Sequence, residues 1–118
     1  MKRDRILIEK ELIPYKFNIL LGAEVFFLTI KYNEKHDLFT VGLEDKDGTT
    51  ICEAEPLIYG MPLWKDMRIP DKYPALTIIP YDESGKNNKI TWDNFGSTTF
   101  LYIDNAEEEM IPDEQTRQ

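Results

Sequence analysis

Asp45 and Asp47 stand two residues apart and are followed at once by Gly48, the way a calcium-binding loop begins. Such a loop needs oxygen ligands at alternating positions, a glycine at the sixth and a bidentate glutamate at the twelfth. Here glycine comes at the fourth position and Thr49-Thr50-Ile51 returns to strand alternation, so the spacing predicts a hairpin turn. The chain has one cysteine, Cys52, and one histidine, His36. A single cysteine excludes an internal disulfide and a CxxC metal or redox site. Cys52 falls in a strand-like stretch and is expected to be a buried thiol, the usual setting of a free cysteine. A Ser-His-Asp relay would have to recruit His36 with Ser84 or Ser97, each in a different loop, and nothing in their spacing brings them together. The carboxylates contain no pair that the sequence singles out, because a glycoside-cleaving pair is defined by its separation in space. No phosphate-binding glycine loop, HExxH, GxSxG or zinc spacing occurs. The chain is expected to be no enzyme, with no catalytic, cofactor-binding or metal-binding residue and no cofactor.

What remains is contact chemistry. Trp64, Trp92, Tyr59, Tyr73 and Tyr81 are either an aromatic platform for sugars or another protein, or large side chains that close the ends of a small barrel. The stretch 55–74 holds Pro56, Pro62, Pro70 and Pro74. Prolines fix a loop at low entropic cost, which suits a contact more than catalysis. Tyr59, Met61, Pro62, Leu63, Trp64, Met67 and Tyr73 are therefore the candidate interface residues, with residues 56–74 and the loop 82–88 as the contact regions. Trp64 is the proposed anchor; its alternative is a place in the core.

The elements that must position these residues follow from alternation. Tyr15, Phe17, Ile19 and Leu21 share one side of a first meander strand, and Phe26, Leu28, Ile30 and Tyr32 one side of the next. Gly22 takes positive φ without steric cost, so Leu21-Gly22-Ala23-Glu24 predicts a two-residue type II′ hairpin. A third strand is expected over residues 38–44. Asp45-Lys46-Asp47-Gly48 then predicts a type I turn with glycine in the left-handed region, leading to a strand over 49–54. Further strands are expected over 6–9, 75–79 and 98–103, with an extended lead-in over 10–13. Residues 56–60 are a short strand or crossover, and 63–67 one helical turn. Pro80 marks an edge or a strand end. About seven short strands with little helix predict a mainly β fold, a small antiparallel β-barrel or a curled meander sheet. A helix over residues 5–12 is the rival to the first strand.

At 118 residues the expectation is a single β domain over 1–104, followed by an acidic, flexible tail over 105–118. From Asp104 to Gln118 the acids Asp104, Glu107, Glu108, Glu109, Asp113 and Glu114 stand against Arg117 alone, with Met110-Ile111-Pro112 as an apolar anchor if the tail docks on a basic partner. The net charge of −8 repels phosphate backbones and anionic lipid, so neither nucleic acid nor membrane is expected as a partner. No apolar run reaches the ~20 residues of a membrane span. The basic start, Lys2, Arg3 and Arg5, leads into no signal-peptide core, so use or assembly inside a cell is expected.

The order of motifs resembles a known family. An apolar strand, a glycine turn, a strand ending in Tyr32-Asn33, the Asp47-Gly48 hairpin, a Pro-Leu element and Asn94-Phe95-Gly96 before Leu101-Tyr102-Ile103 are similar to the baseplate plug proteins of contractile-tailed phages, the cyanophage-type plug family. The likeness covers residues 15–103. It implies a structural protein in the hub or plug region of a tail baseplate, assembled in the host cytoplasm. It would act through contact with other baseplate and hub proteins, as a homo-oligomer in the virion, with no active site to transfer. The matching positions are Asn33, Gly48, Gly60, Pro62, Leu63, Gly96 and Tyr102, all turn or core positions. Phe95, where the family favours an aliphatic residue, and the acidic tail are departures. A carbohydrate-binding β module using exposed aromatics is the alternative function.

Overall fold

A computed structural model describes residues 4–64, 73–74 and 76–104, which are built mainly of β-strands. The strands are β1 (Asp4–Ile6), β2 (Tyr15–Leu21), β3 (Glu24–Asn33), β4 (Leu38–Glu44), β5 (Thr50–Pro56), β6 (Thr77–Tyr81) and β7 (Phe100–Asp104). They form two antiparallel sheets, one in the order β2-β3-β4-β5 and one in the order β1-β7-β6. Between the described residues no ladder joins the two sheets into a closed barrel. The expected helical turn over 63–67 runs largely outside the described residues, as does the tail over 105–118.

The meander follows its alternation. Leu21 pairs with Glu24, Ile19 with Phe26, Phe17 with Leu28 and Tyr15 with Ile30. Gly22 has φ +67° and Ala23 is not in the positive region, which is the type II′ pattern. At the next tip, Gly48 has φ +84°, its N–H donates to the Asp45 carbonyl, and the Asp45 N–H donates to the Thr49 carbonyl. The Asp45 carboxylate accepts from the N–H of both Asp47 and Thr49 at 2.9 Å, so this acid holds its own turn.

Several boundaries differ from expectation. The first strand is Asp4–Ile6 because it pairs with β7, Ile6 opposite Leu101. Alternation continues beyond that ladder: Ile6 and Ile8 are buried while Leu7 points to solvent. The lead-in before Pro14 is a 3-10 turn over Lys10–Leu12, in which Leu12 N–H reaches the Glu9 carbonyl and Ile13 N–H the Lys10 carbonyl. β6 begins two residues later than expected and includes Pro80, opposite Leu101. As an edge strand it tolerates a residue without an N–H.

The core draws on both sheets. Phe26, Leu28 and Ile30 of β3, with Phe39, Val41 and Leu43 of β4, are at most 2% exposed, and they belong to one cluster with Ile6, Ile78 and Leu101 of the smaller sheet. Their burial, roughly 1.5–3 kcal/mol for each large side chain, is the main driving force for folding. The two edges of the larger sheet differ. β2 runs in continuous register along β3, whereas β5 slips twice against β4, between Val41 and Leu43 and between Leu43 and Glu44. Each slip places an extra residue in β5, and a bulge of this kind bends an edge away from would-be neighbours.

Candidate interaction surface

Residues 57–64 connect the two sheets, and hydrogen bonds fix them to both. Leu57 N–H donates to the Phe39 carbonyl of β4 at 2.9 Å. Beyond it the chain crosses to the smaller sheet, where Gly60 N–H meets the Pro80 carbonyl at 2.8 Å and Leu63 N–H the Ile78 carbonyl at 2.9 Å. Pro80 and Ile78 lie on β6, so the connection covers that strand's outer edge. Gly60 turns with φ +74°, a conformation that glycine takes freely. Trp64 adopts φ +57°, and its N–H donates to Glu55 Oε2 of β5 at 2.8 Å.

The candidate interface residues divide by direction. Leu63 and Trp64 are buried, 1% and 3% exposed, and Tyr73 is half-buried with its ring 6.0 Å from that of Trp64. Trp64 thus stands in the core of the chain. Burial first and the Glu55 charge next raise the pKa of the nearby Cys52 thiol. Tyr59 is half-buried, with its ring stacked 5.5 Å from Tyr81 and its hydroxyl accepting from Asp82 N–H at 3.1 Å. Met61 is exposed and Pro62 partly so. Met67 lies outside the described residues. Ile58 (51% exposed) and Tyr81 (38%) extend the apolar area around Met61 and Tyr59. Ile58 was legible only as one residue of the crossover. Its exposure follows from Leu57 turning into the core.

The loop after β6 is rigidly built. Asp82 is buried, and its Oδ1 accepts from Ser84 N–H at 2.8 Å and from Ser84 Oγ at 2.6 Å. Its Oδ2 accepts from Asn87 N–H at 3.0 Å and from Asn87 Nδ2 at 2.8 Å, and the same amide reaches Thr98 Oγ1 at 3.0 Å. These donors, Ser84 foremost, stabilise the carboxylate against burial and lower its pKa to about 2. Asp82 is a loop organiser.

The remaining aromatics gather elsewhere. Trp92 packs 4.8 Å from Tyr32 and 5.9 Å from Phe39, and Phe39 in turn 4.6 Å from Phe95. Asp37 Oδ1 accepts from Tyr32 Oη at 2.6 Å and from Trp92 N–H at 2.9 Å, fastening the loop before β7 to the β3–β4 turn. The Asp37 hydrogen bond, then desolvation, raises the Tyr32 pKa to about 12. Ring contacts among the described residues therefore place the five aromatics of interest in three groups: Tyr59 with Tyr81, Trp64 with Tyr73, and Trp92 with Tyr32 and Phe39.

The polar residues considered for catalysis have structural partners. Ser84 Oγ donates to Asp82, Ser97 Oγ to the carbonyls of Asp93 and Asn94, and His36 sits exposed in a turn where its N–H donates to Asn33 Oδ1. Among the described residues no cluster of three or more His, Cys, Asp or Glu could hold a metal, and no helix is long and apolar enough to cross a membrane. A family model described as "Cyanophage baseplate Pam3 plug gp18" matches residues 3–107. No curated protein matches the chain.

Proposed function

Since the chain belongs to the cyanophage baseplate plug family, we propose that it is a non-enzymatic component of the hub or plug region of a phage tail baseplate, working by protein–protein assembly. It is assembled in the host cytoplasm, contacts other baseplate and hub proteins, and is a homo-oligomer in the particle. The observation that carries this reading is the family match over most of the chain. The apolar area of Ile58, Tyr59, Met61 and Tyr81 supports it, because it is held on a segment hydrogen-bonded to both sheets. A contact surface on a fixed backbone loses little entropy on docking.

Leu63, Trp64 and Tyr73 act from below, as packing that sets the shape of that surface. Met67 is assigned to the same contact region. The test is co-expression with the tail hub proteins of the same phage, scoring co-purification of Ile58→Asp and Met61→Asp against the unaltered chain. Both positions are exposed, so melting should change little. Loss of an anchor worth ~2 kcal/mol weakens association about 30-fold. Co-purification of both variants at the unaltered level removes this surface from the contact. Failure of the unaltered chain to join any hub protein removes the assembly role.

A further inference from the structure

β3 is longer than the strand beside it. Its pairing with β4 ends at Phe27 opposite Glu44, while β3 itself starts at Glu24. Glu24, Val25 and Phe26 are thus paired with β2 on one side only. In a two-residue hairpin the residues flanking the turn exchange hydrogen bonds, and orientation alternates from there. Glu24 and Phe26 therefore face β2, and the N–H and C=O of Val25 face the other way. In that direction lies a cleft of about 720 Å³ between the β2–β3 tip and the β4–β5 tip, lined among others by Val25, Phe26, Ile51, Asp45 and Asp47. The Val25 side chain is 41% exposed and Ile51 half-buried, so part of the cleft wall is apolar.

The charge of the cleft defines its occupant. Glu24, Asp45 and Asp47 line it against Lys46 alone. We propose that the cleft beside β3 seats an extended basic segment of a partner subunit, which pairs with the Val25 backbone, covers Val25 and Ile51, and sets its cations against these carboxylates. The proposal rests on the assembly role above and names the chemistry of one partner. It uses strand addition, in which backbone pairing supplies affinity and alternate side chains supply selectivity.

The experiment titrates the full-length, ¹⁵N-labelled chain at low ionic strength with acetyl-Lys-Val-Lys-Val-Lys-amide, and separately with acetyl-Glu-Val-Glu-Val-Glu-amide. The basic peptide should shift the amides of Val25 and of residues 45–51, and the acidic peptide should not. Glu24→Gln combined with Asp47→Asn removes two charges that make no side-chain hydrogen bond in the turn, and should weaken binding about 3- to 10-fold. Absence of shifts in the cleft, equal binding of the two peptides, or unchanged binding by the double variant overturns the proposal. The co-purification test is independent. A chain that joins the hub proteins yet shows no cleft shifts refutes the cleft alone.

Discussion

Gly42→Ala tests whether β5 lies as close over β4 as the register slip requires. Between Val41 and Leu43 the partner strand runs from Glu55 to Cys52, so Glu53 and Ala54 both stand opposite Gly42. A Cβ added at Gly42 would lie 2.8 Å from the Glu53 backbone oxygen, while its contact with Thr29 Cβ, at 3.5 Å, would be ordinary. Carbon and carbonyl oxygen approach comfortably to about 3.3 Å, so about half an ångström must be opened between the strands. The obstacle is backbone and cannot rotate aside. Overpacking of this kind costs about 1–3 kcal/mol, and replacing glycine within a strand returns about 0.5–1 kcal/mol. The net loss is about 1–2 kcal/mol, a fall in Tm of about 4–8 °C for a chain of this length. Thermal melts followed by circular dichroism measure it directly. A Tm equal to or above that of the unaltered chain refutes the close approach and the bulge that causes it.

Other outcomes follow from the same contacts. Phe95→Ala empties a fully buried ring site against Phe39 and should lower unfolding free energy by about 3–5 kcal/mol in urea titrations. The Asp82 pKa is depressed from its ordinary value to about 2, so its stabilising contribution is complete above pH 4 and disappears as pH falls toward 2. Asp82→Asn should flatten the fall of Tm across that window, and an unchanged acid profile counts against the loop network. Tyr32 should titrate near pH 12 by NMR of its ring carbon, and Asp37→Asn should bring it down. A Tyr32 value indifferent to Asp37 would count against the hydrogen bond between the two side chains.

The meander was readable because its signals are local. Gly22 and Gly48 fix turns in single dipeptides, and alternation from Tyr15 to Leu43 leaves only one face for the core. The division into two sheets was not readable, because it depends on β1 pairing with β7 across almost the whole chain. Sequence spacing carries no trace of such a pairing. Strand ends near Ile6 and Thr77 moved for the same reason, since partners set them. At the candidate surface, the segment 56–64 was recognisable from its prolines, but its two-sidedness was not. A stretch with no period offers no rule for which neighbour of Pro62 faces inward. The hydrogen bond from Leu63 to Ile78 settles that, and it draws Leu63 and Trp64 into the core while Ile58 and Met61 stay outside.

The unequal margins of the four-stranded sheet have a further consequence. A molecule with two regular margins can hand pairing on from copy to copy without limit, which is how fibrils grow. Here one margin is smooth and the other twice dislocated. Such a sheet can accept one neighbour along β2, but it offers that neighbour's successor nowhere to attach through β5. Through this sheet, strand-to-strand growth stops after a single step.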